Sequence, residues 1–141
     1  MKRLILFILI MLGGFGCSDD TTGPEQKSSD GSIVAWGNNS GGQCDVPTPN
    51  SDFKNIGGGN YFSLGLKTDG SIVAWGQNDI GQCDVPSPNT GFEAIACGEY
   101  HNLGLKTDGS IVAWGLNDDG QCDAPSPNTG FKAIAAGWFH S

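Results

Sequence analysis

Apolar and polar positions alternate with period two along much of the chain. Leu64-Gly65-Leu66 and Leu103-Gly104-Leu105 each place two leucines on one side of an extended backbone. Thr68-Asp69-Gly70 and Thr107-Asp108-Gly109 follow, and Asp-Gly between alternating segments is a strong hairpin signal. Ser71-Ile72-Val73-Ala74-Trp75 returns as a second strand, β-branched and aromatic as strands prefer. In the polar stretch that comes next, Pro86 and Pro88 exclude a central strand. Phe92-Glu93-Ala94-Ile95-Ala96-Cys97-Gly98 reads as the third strand of the unit, its small residues suited to a crowded position near an axis.

The pattern recurs every 39 residues. Gly31, Gly70 and Gly109 head identical Gly-Ser-Ile-Val-Ala-Trp-Gly stretches, and Cys44, Cys83 and Cys122 keep the same interval. Strand-rich repeats of about 40 residues point to β-propeller blades, small sheets that bury their faces only by stacking. Composition agrees: 23 of 141 residues are glycine, well above the usual ~7%, which suits turns and opposes helices. The repeats resemble those of the regulator of chromosome condensation family. The resemblance is carried by Ala96-Cys97-Gly98-Glu99-Tyr100-His101-Asn102-Leu103-Gly104-Leu105 and by Asp108-Gly109-Ser110-Ile111-Val112-Ala113-Trp114-Gly115, continuing to Gly120-Gln121. Phe62 stands at the histidine position in the first unit, and Gly65 and Gly104 replace the usual alanine.

That resemblance implies an all-β chain of propeller blades, about three of the seven with which the family closes its ring. The repeats cover residues 30–141, the last breaking off at Gly137-Trp138-Phe139-His140-Ser141 where Leu-Gly-Leu-Lys would recur. A truncated reading frame is the expectation from this break; otherwise oligomerisation or downstream blades must close the ring.

The N-terminus carries different information. Lys2 and Arg3 precede nine unbroken apolar residues, Leu4 to Leu12, too few for the ~20 of a membrane-spanning helix. Basic, apolar and small residues in that order make a secretory signal. Gly16-Cys17 resembles a bacterial lipoprotein signal over residues 1–16, with Cys17 as the lipid attachment site; Gly14 departs from the leucine usual there. Residues 17–29 read as a solvated tether. The expected location is the cell envelope, in the outer membrane, and the acidic residues after Cys17 resemble a surface-export signal.

Charge narrows the partners. Fifteen acids face seven basic residues, two of them inside the signal, so the mature surface repels phosphate backbones and nucleic acid is excluded as a partner. Trp36, Trp75 and Trp114 read as packing between blades rather than as a sugar-stacking surface. His101 and His140 hold the family's recurring histidine position, for which a structural hydrogen bond is expected. No nucleophile or carboxylate recurs beside them, so no catalytic residue is assigned. The cysteines lie a blade apart, against both metal and disulfide readings, and small buried apolar use is expected of them. One non-equivalent pairing through Cys97 stays open. Asn117-Asp118-Asp119-Gly120 with Asp123 lacks the ligand pattern of a calcium loop, and no metal or cofactor is assigned. Asn38-Asn39-Ser40 matches a glycosylation acceptor, a pattern too short to carry weight.

The reading is a non-catalytic binding or protein-interaction module, held at the envelope by a lipid. Positions that vary between units are the candidate contacts: Asp79, Asp118, Glu99 and Trp138. Two alternatives come from the resemblance: a secreted enzyme inhibitor of the β-lactamase-inhibiting propeller type, and guanine-nucleotide exchange. Export and acidity oppose the second.

Overall fold

Strands form in this chain only where a partner strand is within reach. The computed structural model describes residues 31–141, so the signal, Cys17 and the tether lie outside the described residues. Among the described residues six strands make two sheets: β1 (Phe53–Gly58), β2 (Phe62–Lys67) and β3 (Ile72–Gly76), then β4 (Phe92–Cys97), β5 (His101–Lys106) and β6 (Ile111–Gly115). Each sheet is an antiparallel meander, ordered β1-β2-β3 or β4-β5-β6. One irregularity of register falls between Phe53 and Asn55 and recurs between Phe92 and Ala94. Both Asp-Gly turns form as expected, with Gly70 and Gly109 at φ 81° and 79°. In each, the Asp carboxylate accepts the N–H and hydroxyl of the serine two residues on, which lowers the pKa of Asp69 and Asp108.

The grouping of strands differs from the sequence expectation. Phe92–Cys97 does not close the first unit; it opens the second, pairing with β5. The boundary between blades is therefore the proline loop. There the second X-Pro bond of each loop, Thr48-Pro49, Ser87-Pro88 and Ser126-Pro127, is cis. Ser32–Trp36 has the sequence of Ser71–Trp75 and yet is not a strand, and neither is Phe131–Ala136. Neither has a sheet partner among the described residues.

Alternation gives each blade two apolar faces. Phe62, Leu64, Leu66, Ile72 and Ala74 look toward the second blade, where Phe92, Ile95, Val112 and Trp114 meet them. The opposite face, with Phe53, Ile56, Val73 and Trp75, packs on Ile33 and Val46 of the half-unit before it. Burying both faces leaves almost no solvent at Leu64 and Leu66. At about 25 cal/mol per Å² of apolar area this burial is the main favourable contribution. Gly65 and Gly104 sit where the Phe53 and Phe92 rings fold over the middle strand; a methyl there would come within 2.4 Å and 2.5 Å of ring carbons. That close approach accounts for glycine at both positions.

One main-chain carbonyl in each unit takes two donors from the next. The Gln82 carbonyl accepts the Trp114 indole N–H at 3.1 Å and the Asn102 amide at 2.8 Å. One unit earlier, Gln43 accepts Trp75 at 2.9 Å and the Ser63 hydroxyl at 3.0 Å. The Gln82 side chain is itself buried, its Oε1 accepting the Ile80 N–H at 3.0 Å. Tryptophan thus packs between blades, as its period implies. Trp75 and Trp114 are buried, whereas Trp36 is 55% exposed.

Polar side chains close the other gaps. Asn89 binds both the N–H and the C=O of Ile72, at 2.8 and 2.7 Å, and Asn50 and Asn128 do the same for Ile33 and Ile111. Lys67 and Lys106 lie over the Phe53 and Phe92 rings, 4.5 and 4.0 Å from the centroids. Their ammonium groups bind carbonyls of the proline loop, Ser51 at 2.9 Å and Pro88 at 3.0 Å.

His101 makes the structural hydrogen bond expected of it. It is fully buried, with Nε2 3.1 Å from the Ser141 hydroxyl. That hydroxyl gives its proton to the Gln121 carbonyl at 2.7 Å, so it accepts from Nε2–H. Nδ1 is left without a partner. Burial is the chief cause that lowers its pKa, and the adjacent His140 charge adds to it.

Two expectations follow. Trp114→Phe keeps the ring but removes the bond to Gln82, which lowers unfolding free energy by about 1 kcal/mol in urea titrations, while Trp36→Phe leaves the midpoint in place. For His101, the unfolded chain takes up a proton near the ordinary value of 6.5 and the folded chain does not. Its contribution is complete above that pH and declines as pH falls below it. Thermal melts from about pH 7.5 to about pH 5 show this loss, and it disappears in His101→Phe, which installs the residue found at Phe62.

Candidate interaction face

The two ends of the blades are chemically unlike. At one end lie the β1–β2 and β4–β5 turns, joined by main-chain bonds to the loops that leave β3 and β6: Gln77 N–H to the Tyr61 carbonyl and Leu116 N–H to the Tyr100 carbonyl, both 2.9 Å. At the other end lie the Asp-Gly turns and the starts of β1 and β4, where the Phe92 N–H meets the Gly70 carbonyl at 3.0 Å.

All four candidate contact residues fall on the first end. Asp79 and Asp118 project from the loops after β3 and β6, both exposed. Glu99 sits in the β4–β5 turn, and Trp138, 69% exposed, holds the equivalent place in the third unit. Glu99 is brought next to Asn60, whose amide reaches the Glu99 carboxylate at 3.3 Å and the Tyr100 hydroxyl at 2.8 Å. Asp79 accepts the Gln77 amide at 2.5 Å. Tyr61 and Phe139 add exposed rings, the latter edge-on to Trp138 with centroids 6.5 Å apart. A cleft of about 460 Å³ opens on this end between Ser40, Gly41, Tyr61 and Gln77.

Charge divides along the same line. Lys54, Lys67, Lys106 and Lys132, the only lysines or arginines among the described residues, all lie at the Asp-Gly end, with Asp52, Asp69, Glu93 and Asp108 to balance them. The turn end carries Asp45, Asp79, Asp84, Glu99, Asp118, Asp119 and Asp123 with no lysine or arginine. Sequence reading picked out the variable positions but not this division, which appears only once the strand directions are known.

The loop acids are partly committed. Asp45, Asp84 and Asp123 accept amides of Asn39, Asn78 and Asn117 at 2.7–2.8 Å, and the same asparagines accept the N–H of Cys44, Cys83 and Cys122. Among the described residues no group of three His, Cys, Asp or Glu side chains could hold a metal ion.

The cysteines do more than fill space. Cys44, Cys83 and Cys122 are half-buried, and each thiol donates to a carbonyl six residues earlier, at 3.3–3.4 Å. Burial raises the pKa of Cys83 and Cys122, with a neighbouring aspartate adding to it. Cys97 fits against Gly57, where a methyl would stand 2.6 Å from its Sγ, and burial pushes its thiol up to about 12. All four are free thiols, protonated at neutral pH wherever burial has raised them.

Comparison with known proteins places the repeats. The model for the regulator of chromosome condensation (RCC1) repeat matches residues 53–82 and 92–121, one match for each sheet with the loop that follows it. No curated protein matches the chain in sequence. Among solved structures, yeast RCC1 (Prp20) bound to Kap60 superposes with a TM-score of 0.62 at 23% identity, over 77% of this chain and 36% of that one. The Prp20p structure from Saccharomyces cerevisiae, described with its binding to Gsp1p and histones, gives 0.57 at 25% identity, over 69% and 29%. The receptor kinase CR4 ectodomain of Physcomitrella patens gives 0.62 at 25%, over 81% and 31%. The chain spans about a third of the length of these propellers. The chain thus carries two RCC1-type repeats, each folded as one blade, and their stacking is similar to that in those structures.

Proposed function

We propose that the chain is a non-catalytic interaction module whose contact surface is the acidic, aromatic end of its blades, presented at the cell envelope by a lipid on Cys17. The observation that carries this reading is the division of charge. Every described lysine is at the opposite end, two of them tying down proline loops, and the varying residues Asp79, Glu99, Asp118 and Trp138 share the turn end. A face of one sign attracts a cationic partner over roughly a Debye length, about 8 Å at physiological salt. Exposed tryptophan and tyrosine supply the amphipathic contacts on which protein interfaces concentrate their energy. The partner class is thus a polypeptide rich in lysine or arginine. Family relatives fit a protein partner: Prp20 is solved with Kap60, and its binding to Gsp1p and histones is described.

Titrating the full chain in detergent with polylysine and with polyglutamate tests the contact surface. Polylysine binds, more weakly as salt rises, and polyglutamate does not. The triple variant Asp79→Asn, Glu99→Gln, Asp118→Asn loses about tenfold or more in affinity, and unchanged affinity in that variant refutes the surface. For the anchor, cells expressing the chain incorporate labelled fatty acid into it, and Cys17→Ser abolishes the label.

A further inference from the structure

Asn38-Asn39-Ser40 is the single Asn-X-Ser or Asn-X-Thr stretch of the sequence, an acceptor pattern for N-linked sugar that by itself carries little. The loop gives it a defined shape. Asn38 Oδ1 accepts the Ser40 N–H at 2.9 Å, the Ser40 hydroxyl at 2.7 Å and the Gln43 Nε2–H at 3.3 Å. This is an Asx turn closed by the hydroxyl of the motif's own serine. Three donors on one oxygen identify Nδ2 as the other amide atom, and no described residue accepts from it. The same donors draw electron density toward Oδ1 and so loosen the Nδ2 protons. Asn38, Asn39 and Ser40 are all exposed. In the next unit, packed on both faces, the corresponding Gln77 is half-exposed and Asn78 and Asp79 are exposed. The stretch therefore faces solvent by its place in the repeat.

A seat for the sugar adjoins it. The cleft of about 460 Å³ is lined by Ser40, Gly41, Tyr61 and Gln77. Gln43 connects acceptor and cleft, its Nε2 reaching Asn38 and its Oε1 accepting the Gly41 N–H at 2.8 Å. The next joint carries Ile80 and Leu116 where this one carries Gly41 and Gln77, so small and polar walls distinguish it. Tyr61 offers a partly exposed ring, and a ring beside amide and hydroxyl groups suits a pyranose, which has apolar faces and a polar rim. We infer that Asn38 is an acceptor for an N-linked glycan, whose first sugar lies in this cleft against Tyr61. The donor is a polyprenyl-diphosphate-linked oligosaccharide and the catalyst an oligosaccharyltransferase. Nδ2 forms a bond to the anomeric carbon, the bond from that carbon to the diphosphate breaks, and its electron pair leaves with the diphosphate. The proton that Nδ2 loses passes to a base of the transferase. Of the module reading above, the modification requires export alone.

Incubating the purified full chain in detergent with such a transferase and donor tests the assignment, and does so independently of export. A synthetic peptide with the sequence of residues 35–43 is the positive control. Mass spectrometry finds one glycan on the folded chain, and an amidase that cuts the linkage leaves an aspartate at its position. Asn38→Gln and Ser40→Ala abolish transfer, and Ser40→Thr retains it. The modified chain melts above the unmodified one, and Tyr61→Ala removes that gain. A folded chain left unmodified while the peptide is modified, or transfer that survives Asn38→Gln or Ser40→Ala, overturns the acceptor. Modification without the gain, or a gain that survives Tyr61→Ala, overturns the seat. Unmodified variants that melt with the native chain establish that each is folded. Polylysine binding by Asn38→Gln separates this outcome from the fate of the acidic-face reading.

Discussion

The main-chain carbonyl of a glutamine is the fixed point of each joint between blades. Gln43 and Gln82 each accept an indole N–H from thirty-two residues ahead and a second donor from twenty residues ahead. A dispersed apolar interface can slide; two donors converging on one oxygen set the distance and angle at which the sheets meet. With that point fixed, the middle strands are enclosed on both faces, and the close contacts at Gly65, Gly104 and Gly57 become obligatory. The buried His101 and Asn102 belong to the same arrangement, placed beside the carbonyls of Gln121 and Gln82.

Much of this was legible from residue order, because repetition turns weak signals into strong ones. The hairpins, the Asp-Gly turns and the packing of tryptophan between blades all follow from alternation and period. What escaped is instructive. Ser32–Trp36 and Ser71–Trp75 are the same five residues, and only the second stretch contributes to a strand. Strand formation depends on a partner's hydrogen-bonding groups, which local sequence does not contain. For the same reason Phe92–Cys97 reads equally well as the end of one unit or the start of the next. Only its pairing with β5 decides.

The candidate face was legible as positions and not as a surface. Asp79, Asp118, Glu99 and Trp138 stood out because they vary among near-identical units. That they share an end whose carboxylates number seven in all, while the described lysines gather at the other, depends on strand direction. The cysteines show the opposite case. Period and size predicted small apolar fillers, and the missing part was the thiol bond to a carbonyl six residues earlier, a feature of loop geometry alone.

The asparagines that grip Ile33, Ile72 and Ile111 have a consequence for how the chain behaves when crowded. β3 and β6 are the outer strands of their sheets, and such rims invite foreign strands to add on, the first step toward fibrous aggregates. Asn89 and Asn128 occupy an outward-facing donor and acceptor of those rims with a side chain that cannot extend the ladder. Outward growth is thereby blunted at a cost of one residue per repeat. A chain so rich in strand-forming sequence gains protection from it wherever it stands at high local concentration.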